Sequence, residues 1–360
     1  MNNQASTLPH GLPISTEVAD VSDDLRQRAR TRLEALATPP GALGRLGELG
    51  VWISTALGEV PPPPLERVRL VIFAGDHGVA QHGVSAFPAS ITGAMVRTFV
   101  AGRSGATAIA GAHGVAVRVL DLGVDEEFAD LPDGVRAQLT IRKIRRSSGA
   151  IHLEDALSAA ETEAALAAGA AVALEEIAAG AQLLISGDMG IGNTTPAAAM
   201  LAAGLGLPAA EVVGRGTGID DAGLLHKTAV VDQALARVGE RAADPLATLQ
   251  ALSSADLAAT TGFLVQAAVS GVPVLLDGLM SVACAYTAER LAPGAARWFV
   301  AGHRSTEPAQ SLALEKLGLE PVLDLGMRLG EGSGAVAAVP VLRSAVALMR
   351  DVALLSDLGV

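Results

Sequence analysis

The rhythm of apolar positions divides the chain into readable segments. Residues 22–37 and 41–58 repeat apolar side chains at helical spacing, which predicts two helices. Pro61-Pro62-Pro63-Pro64 then breaks the pattern, because proline lacks the amide hydrogen and clashes with a preceding helical turn. It reads as a hinge between an N-terminal helical piece and the main body. Beyond it, β-branched or leucine-rich runs fall at 68–74, 115–121, 182–186, 272–276, 297–301 and 321–325. Several are separated by long alanine-rich amphipathic stretches, such as 155–180 and 255–270. Strand, loop, helix and strand in succession predict right-handed βαβ units and a mostly parallel α/β sheet. The last run, 335–356, reads as a helix able to pack back on the N-terminal pair. The first 20 or so residues lack periodicity and read as a flexible tail.

Composition sharpens this picture. The chain has 360 residues, half of them apolar but only 2% aromatic, which suits aliphatic helices packed on a sheet. A net charge of −12 argues against a nucleic-acid backbone as partner. The one basic cluster, Arg142, Lys143, Arg145 and Arg146, sits in a strand-plus-loop context and reads as a solvated face or a local anion contact. The single cysteine, Cys284, lies in an apolar helical run and reads as core packing. No basic-then-apolar leader opens the chain, and a cytoplasmic protein is expected. Leu257 to Leu276 is uncharged and long enough to span a bilayer. Gly271-Val272-Pro273 interrupts it, so a helix followed by a buried strand is the reading, with no membrane partner.

Candidate chemistry collects after the strand-like runs. Gly75-Asp76-His77-Gly78, Gly187–Thr195, Asp277-Gly278, Gly302–Pro308 and Gly326–Gly334 each follow one. In open parallel sheets the ligand crevice lies beyond the carboxyl ends of the strands, so one composite site is expected. Glycines in Gly187-Asp188-Met189-Gly190-Ile191-Gly192-Asn193-Thr194-Thr195-Pro196, Gly214-Arg215-Gly216-Thr217-Gly218 and Gly330-Glu331-Gly332-Ser333-Gly334 let backbone N–H groups approach a ligand. Together they suggest a phosphorylated small molecule. Thr194-Thr195-Pro196 reads as a hydroxyl cap followed by proline at the first helical position, or as donors aimed at an anion. Lys227 adds a point charge or is a surface lysine, and Ser305 is an anion donor or a helix cap. No Gly-Lys-Ser/Thr ending and no dinucleotide fingerprint is present.

Glu331 and Asp188, each set among glycines, are the candidates for acid–base work. Burial would raise a carboxyl's pKa and improve it as a proton acceptor, whereas a solvated loop would leave it ordinary. Asp76-His77 suggests a metal or hydrolase site, or a structural carboxylate–backbone network. The sequence shows no His-x-x-x-His and no paired cysteines, so no metal or other cofactor is expected.

Taken in order, Phe73-Ala74-Gly75-Asp76-His77-Gly78-Val79, Gly83-Val84-Ser85-Ala86-Phe87-Pro88, Gly187–Pro196, Gly214–Gly218, Leu276-Asp277-Gly278, His303-Arg304-Ser305 and Leu323–Gly334 carry a family resemblance. The chain resembles the nicotinate-nucleotide:5,6-dimethylbenzimidazole phosphoribosyltransferases of cobalamin lower-ligand assembly, from about residue 25 to the C-terminus. The resemblance implies a Rossmann-like large domain over 65–334. It also implies a small helical domain from 22–60 and 335–360 after a tail at 1–21, and a homodimer. The implied substrates are nicotinate mononucleotide and a benzimidazole-type base, and the implied product is α-ribazole 5′-phosphate. It places Glu331 as general base, and Asp188 is the second catalytic candidate, stabilising positive charge at the sugar or orienting the nucleotide. Gly190, Gly192, Asn193, Thr194, Gly216, Lys227, His303 and Ser305 fall around the nucleotide, and Ser85, Phe87, Met95, Leu329 and Gly330 around the base.

The chain departs from the family at some positions. Asp188 stands where glutamate is frequent, Ala89 and Ala94 stand for glutamines, and Ser253-Ser254-Ala255-Asp256 replaces a more usual Gly-Gly-x-Glu. Two other readings remain: a nucleotide- and base-binding sensor without turnover, and a nicotinamide-dependent oxidoreductase suggested by the sheet pattern alone.

Overall fold

The computed structural model describes residues 14–359. Five strands form one parallel sheet in the order β2-β1-β3-β4-β5. They are β1 (Val68–Gly75), β2 (Ala116–Gly123), β3 (Leu183–Met189), β4 (Val274–Leu276) and β5 (Phe299–Ala301). Strand polarity and side-chain alternation explain the two-sided core. In β1, Val68, Leu70, Ile72 and Ala74 face one core with helices Gly44–Ala56, Ile91–Val100 and Ser333–Asp351. Val71 and Phe73 face the other, with helices Ala159–Ala178, Thr194–Leu205, Ala255–Val269 and Leu279–Leu291. Successive residues of a strand point to opposite faces, and a sheet covered on both faces needs apolar residues at both parities.

Helices from the two ends of the chain pack together. Helices Asp23–Ala35, Gly44–Ala56 and Ser333–Asp351 share a cluster of Ala29, Val51 and Met349. A bridge between Leu36 and Leu354 ties the segments that leave the first and last of them. Ser333–Asp351 is long and apolar enough to cross a bilayer, yet its apolar side is spent on the sheet and on helix Gly44–Ala56. Part of the expected tail, residues 1–13, lies outside the described residues. Residues 15–21 carry no regular element but are held to the body: the Ala19 N–H donates to Ala268 (3.2 Å) and the Trp298 indole donates to Ala19 (3.0 Å).

Three expectations change. The run at 321–325 is not a strand. It flanks β5 through one bridge, His303 to Leu323, before Gly326 turns it away with φ of 64°. Strand β3 continues past 186, because Gly187 and Asp188 keep register with Ile72 and Phe73 of β1. Asp188 is therefore fixed by the sheet and not by a loop. The basic cluster lies in a loop and not a strand, and its partly exposed side chains are ion-paired. Lys143 pairs with Asp121 (2.7 Å), Arg145 with Glu161 (3.0 Å), Arg146 with Asp125 (2.8 Å), and Arg142 with Glu175. The apolar run from Leu257 splits into helix Ala255–Val269 and buried β4, as read. Cys284 is buried, and burial pushes its thiol pKa up.

Candidate active site

In this strand order the direction in which strands are added reverses between β1 and β3, and such switch points open a crevice at the carboxyl ends of the strands. A cavity of about 290 Å³ lies there, bounded by segments following β1, β3, β4 and β5. Of the residues expected around a ligand, Phe87, Met95, Asp188, Gly190, Asn193, Thr194, Gly216, His303, Ser305, Leu329, Gly330 and Glu331 line it. Gly192, Lys227 and Ser85 stand behind its wall. Gly192 turns the chain with φ of 87°. Ser85 is hydrogen-bonded to Thr217 across 3.2 Å.

Glu331 is buried and adopts φ of 64°, the left-handed region that favours glycine. A non-glycine residue there costs roughly 1–2 kcal/mol, so the turn alone would select glycine. The carboxylate is retained against its backbone preference, an outlier of the kind that gathers at functional sites. Its Oε2 accepts from the Ala106 N–H at 3.2 Å, at the start of helix Gly105–Ala112. Burial raises the Glu331 pKa; the Ala106 N–H and Ser104 oppose it, and the charge of Asp277 adds to it. A Cβ on Gly187 would lie 2.4 Å from the Glu331 carbonyl oxygen. Only glycine lets β3 pass so close to this turn.

Asp277, just beyond β4, fixes the same turn from below. It accepts from the N–H groups of Gly332 (3.0 Å), Gly334 (2.9 Å) and Ala335 (3.0 Å). These are orphan donors at the start of helix Ser333–Asp351. His303 Nε2 lies 3.4 Å from its Oδ1. Burial works to raise the Asp277 pKa, but His303 and the backbone donors outweigh it and hold it below the ordinary value. A depressed carboxylate contributes stability above its unfolded pKa, and that stability is lost as pH falls through the lower folded value. Asp277→Ala is expected to lower the unfolding free energy by on the order of 3 kcal/mol near pH 7, with the deficit shrinking toward pH 3. Urea melts at both pH values read it.

The opposite wall is polar. Asn193, at the entrance of helix Thr194–Leu205, donates from Nδ2 to Asp188 Oδ1 at 2.7 Å. The helix starts at Thr194, so Pro196 is its third residue and not its first, and no side chain caps it. Thr194 is instead engaged by Lys227, whose Nζ donates to its Oγ1 (2.7 Å) and to the Gly214 carbonyl (3.1 Å). Lys227 is fully buried and no surface lysine; burial pulls its pKa down to about 8, with Glu307 pulling the other way. Burial also works to lower the His303 pKa, but Asp277 outweighs it and the net shift is upward.

Sequence reasoning missed several contributors. Glu307 lines the cavity and accepts from the Gly216 N–H at 2.8 Å. Arg328 donates to the Gly216 carbonyl at 2.7 Å. The Ala86 N–H donates to Thr217 Oγ1 at 2.9 Å, so the loop carrying Phe87 is tied to the Gly214–Gly218 loop. Ile91 and Met280 join Phe87, Met95 and Leu329 in an apolar wall. Glu307 stands in the Gly302–Pro308 motif region, immediately before helix Pro308–Leu317. Met280 is an ordinary core residue by pattern and carries no such signal. Asp76 is part of a backbone network, accepting from the Asp125 N–H at 2.8 Å. The cavity therefore offers an apolar wall beside one buried carboxyl of raised pKa, and a polar wall with a buried lysine and a helix entrance.

Comparison with known proteins shows the family. A family model described as a phosphoribosyltransferase matches residues 18–360. A nicotinate-nucleotide–dimethylbenzimidazole phosphoribosyltransferase of Mycobacterium avium is 54% identical over 332 residues, covering 92% of this chain and 93% of the relative. Its namesake in Mycobacterium tuberculosis is 51% identical, covering 92% and 90%. The crystal structure of CobT from Thermus thermophilus superposes with a TM-score of 0.88 at 42% identity, covering 94% of this chain and 99% of that one.

Proposed function

The chain belongs to the phosphoribosyltransferase family matched over residues 18–360, and from that premise we propose its reaction and the residues that perform it. It exchanges the nicotinate of nicotinate mononucleotide for 5,6-dimethylbenzimidazole or a related base, giving an α-riboside 5′-phosphate. The observation that carries the reading is the joining of two unlike walls in one cavity. Phe87, Ile91, Met95, Met280 and Leu329 suit a flat apolar base. Gly190, Asn193, Thr194, Gly216, His303 and Ser305, backed by Lys227, suit a ribose phosphate.

The chemistry follows from the bonds exchanged. Nicotinate leaves a pyridinium nitrogen, so the departing ring is neutral at nitrogen and needs no acid. The incoming base must lose its ring N–H as the new bond to C1′ forms, and a single carboxylate suffices. We assign that role to Glu331, whose raised pKa makes it a stronger acceptor. A β-linked nucleotide becoming an α-riboside indicates attack on the opposite face, in one displacement with oxocarbenium character. Inverting glycosidases follow the same electronic logic. Asp188 is placed to stabilise positive charge at the sugar. Holding the two bases in line across C1′ supplies much of the remaining acceleration.

The test is a product profile. Purified protein with nicotinate mononucleotide and dimethylbenzimidazole is expected to release nicotinate and form the α-riboside phosphate in equal amounts, read by chromatography and by the anomeric proton signal. Tight binding of both compounds with no nicotinate release would instead support the sensor reading.

A further inference from the structure

Behind the cavity, on the side away from the base, several buried polar groups have no hydrogen-bond donor to satisfy them. Asp188 Oδ1 is held by Asn193, but its Oδ2 has no partner. Neither oxygen of Asp256 has one, and neither ring nitrogen of His77 has one. All three side chains are buried, Asp256 completely. The fold reserves the space for them. A Cβ on Gly75 would lie 2.2 Å from Asp256 Oδ1, and one on Gly190 would lie 2.4 Å from His77 Nε2. Asp256 thus enters between the ends of β1 and β3 from the first turn of helix Ala255–Val269.

The charge balance there is unfavourable if every carboxyl is ionised. Asp188 faces Asp256 and the charge of Asp277. Asp76 lies within electrostatic reach of both His77 and Asp256. Cys284, from helix Leu279–Leu291, faces both Asp188 and Asp256 as a buried thiol. Asp277 has its own imidazole in His303. Among the described residues, the ion-pairing partner found for Asp256 is His77, whose Nε2 is 3.5 Å from Oδ2. The helix start favours one negative charge on Asp256 but does not offset two like charges in a dry site.

We propose that Asp188 and Asp256 share one proton, making Asp256 a positioning residue that presents Asp188 to the sugar as half of a singly charged carboxyl pair. The shared hydrogen bridges the oxygens that lack donors, and the pair carries one negative charge. That charge lies behind the ribose, where the proposed displacement develops positive charge. The proton is resident and is not consumed in turnover. Loss of this proton with rising pH buries a second charge and loosens Asp188, which produces an alkaline decline in turnover.

Infrared spectroscopy tests the proton without reference to any reaction. At pH 7 the protein is expected to show the C=O stretch of a protonated carboxyl, above the carboxylate bands. The band should vanish in Asp256→Asn, whose amide donates to an ionised Asp188, and persist in Glu331→Gln. Its absence from the unsubstituted protein, or its persistence in Asp256→Asn, would overturn the proposal.

Kinetics test the positioning and rest on the proposed reaction. Asp256→Leu, which removes the donor, is expected to lower kcat by roughly tenfold to a hundredfold with little change in the nucleotide KM. Asp256→Asn is expected to recover most of that loss and to move the alkaline limb of kcat upward by at least one pH unit. A uniform loss with an unmoved limb would reduce Asp256 to a packing role. Failure of the assay in every variant and in the unsubstituted protein would fault the assigned reaction and leave the infrared result standing.

Discussion

Glu331→Gln should lower kcat with nicotinate mononucleotide and dimethylbenzimidazole by about 10²–10⁴-fold, the usual range for loss of a general base. The substitution is nearly isosteric and keeps an oxygen to accept from the Ala106 N–H. It also keeps a non-glycine residue at φ of 64°, so the strain of the turn is unchanged and stability should move little. The pH profile separates the chemistry from packing. Burial raises the folded pKa of Glu331, and the base form exists only above it. Turnover of the unsubstituted protein is therefore expected to rise with pH through a value above that of an ordinary glutamate. The amide has no such titration, so the acid limb should disappear in the variant. The nucleotide KM should stay within about threefold, since Glu331 lies beside the apolar wall and the loss is one of transition-state stabilisation. Near-normal turnover in the variant would remove Glu331 from this role. It would leave positioning of the two rings as the main source of rate.

Much of the architecture was legible because it rests on periodicity. The two N-terminal helices, the alanine-rich helices and five of six strands fall where the apolar pattern puts them. The sixth, at 321–325, is apolar because it lies along the end of β5, and composition does not distinguish one bridge from a ladder. The Gly-rich runs pointed to the strand ends and so to the cavity. Their internal geometry was not legible. Lys227 reads as a surface residue in a helix of mixed polarity, and only its placement beneath Gly214 and Thr194 buries it. Asp277 reads as a short loop residue, yet it fixes the turn of Glu331 through three backbone donors from a segment over 50 residues away. Asp188 and Asp256 departed separately from the family pattern, and the fold brings them within electrostatic reach of each other. Pairings of this kind depend on which strands neighbour each other, and local sequence carries no record of it.

Lys227→Ala should weaken nicotinate mononucleotide binding by about 2–5 kcal/mol, the range for truncating one partner of a buried, hydrogen-bonded charge pair. Benzimidazole binding should be nearly unchanged, because the lysine lies behind the polar wall with Thr194 and Gly214. The pH dependence makes the assignment specific. In the free protein burial lowers the Lys227 pKa to about 8, so the ammonium is the majority form at pH 7 and the minority at pH 9. A phosphate dianion favours the charged form, and the bound state must then hold more protons than the free state above pH 8. Affinity should fall as pH rises past that value, with proton uptake on binding. Calorimetry at pH 9 in two buffers of different ionisation enthalpy reads the uptake directly, and the variant should show none. The same lysine carries a stability cost, since its folded pKa lies below the unfolded value and burial opposes its charge. Lys227→Met, which retains the packing without the charge, is accordingly expected to melt at a higher temperature than the unsubstituted protein at pH 7. The difference should diminish as pH rises from 8 toward 10.5, where the folded-state lysine is already neutral. Equal losses of nucleotide and base affinity in Lys227→Ala, with no change in proton uptake, would contradict a phosphate role and return Lys227 to a part in holding the Gly214–Gly218 loop.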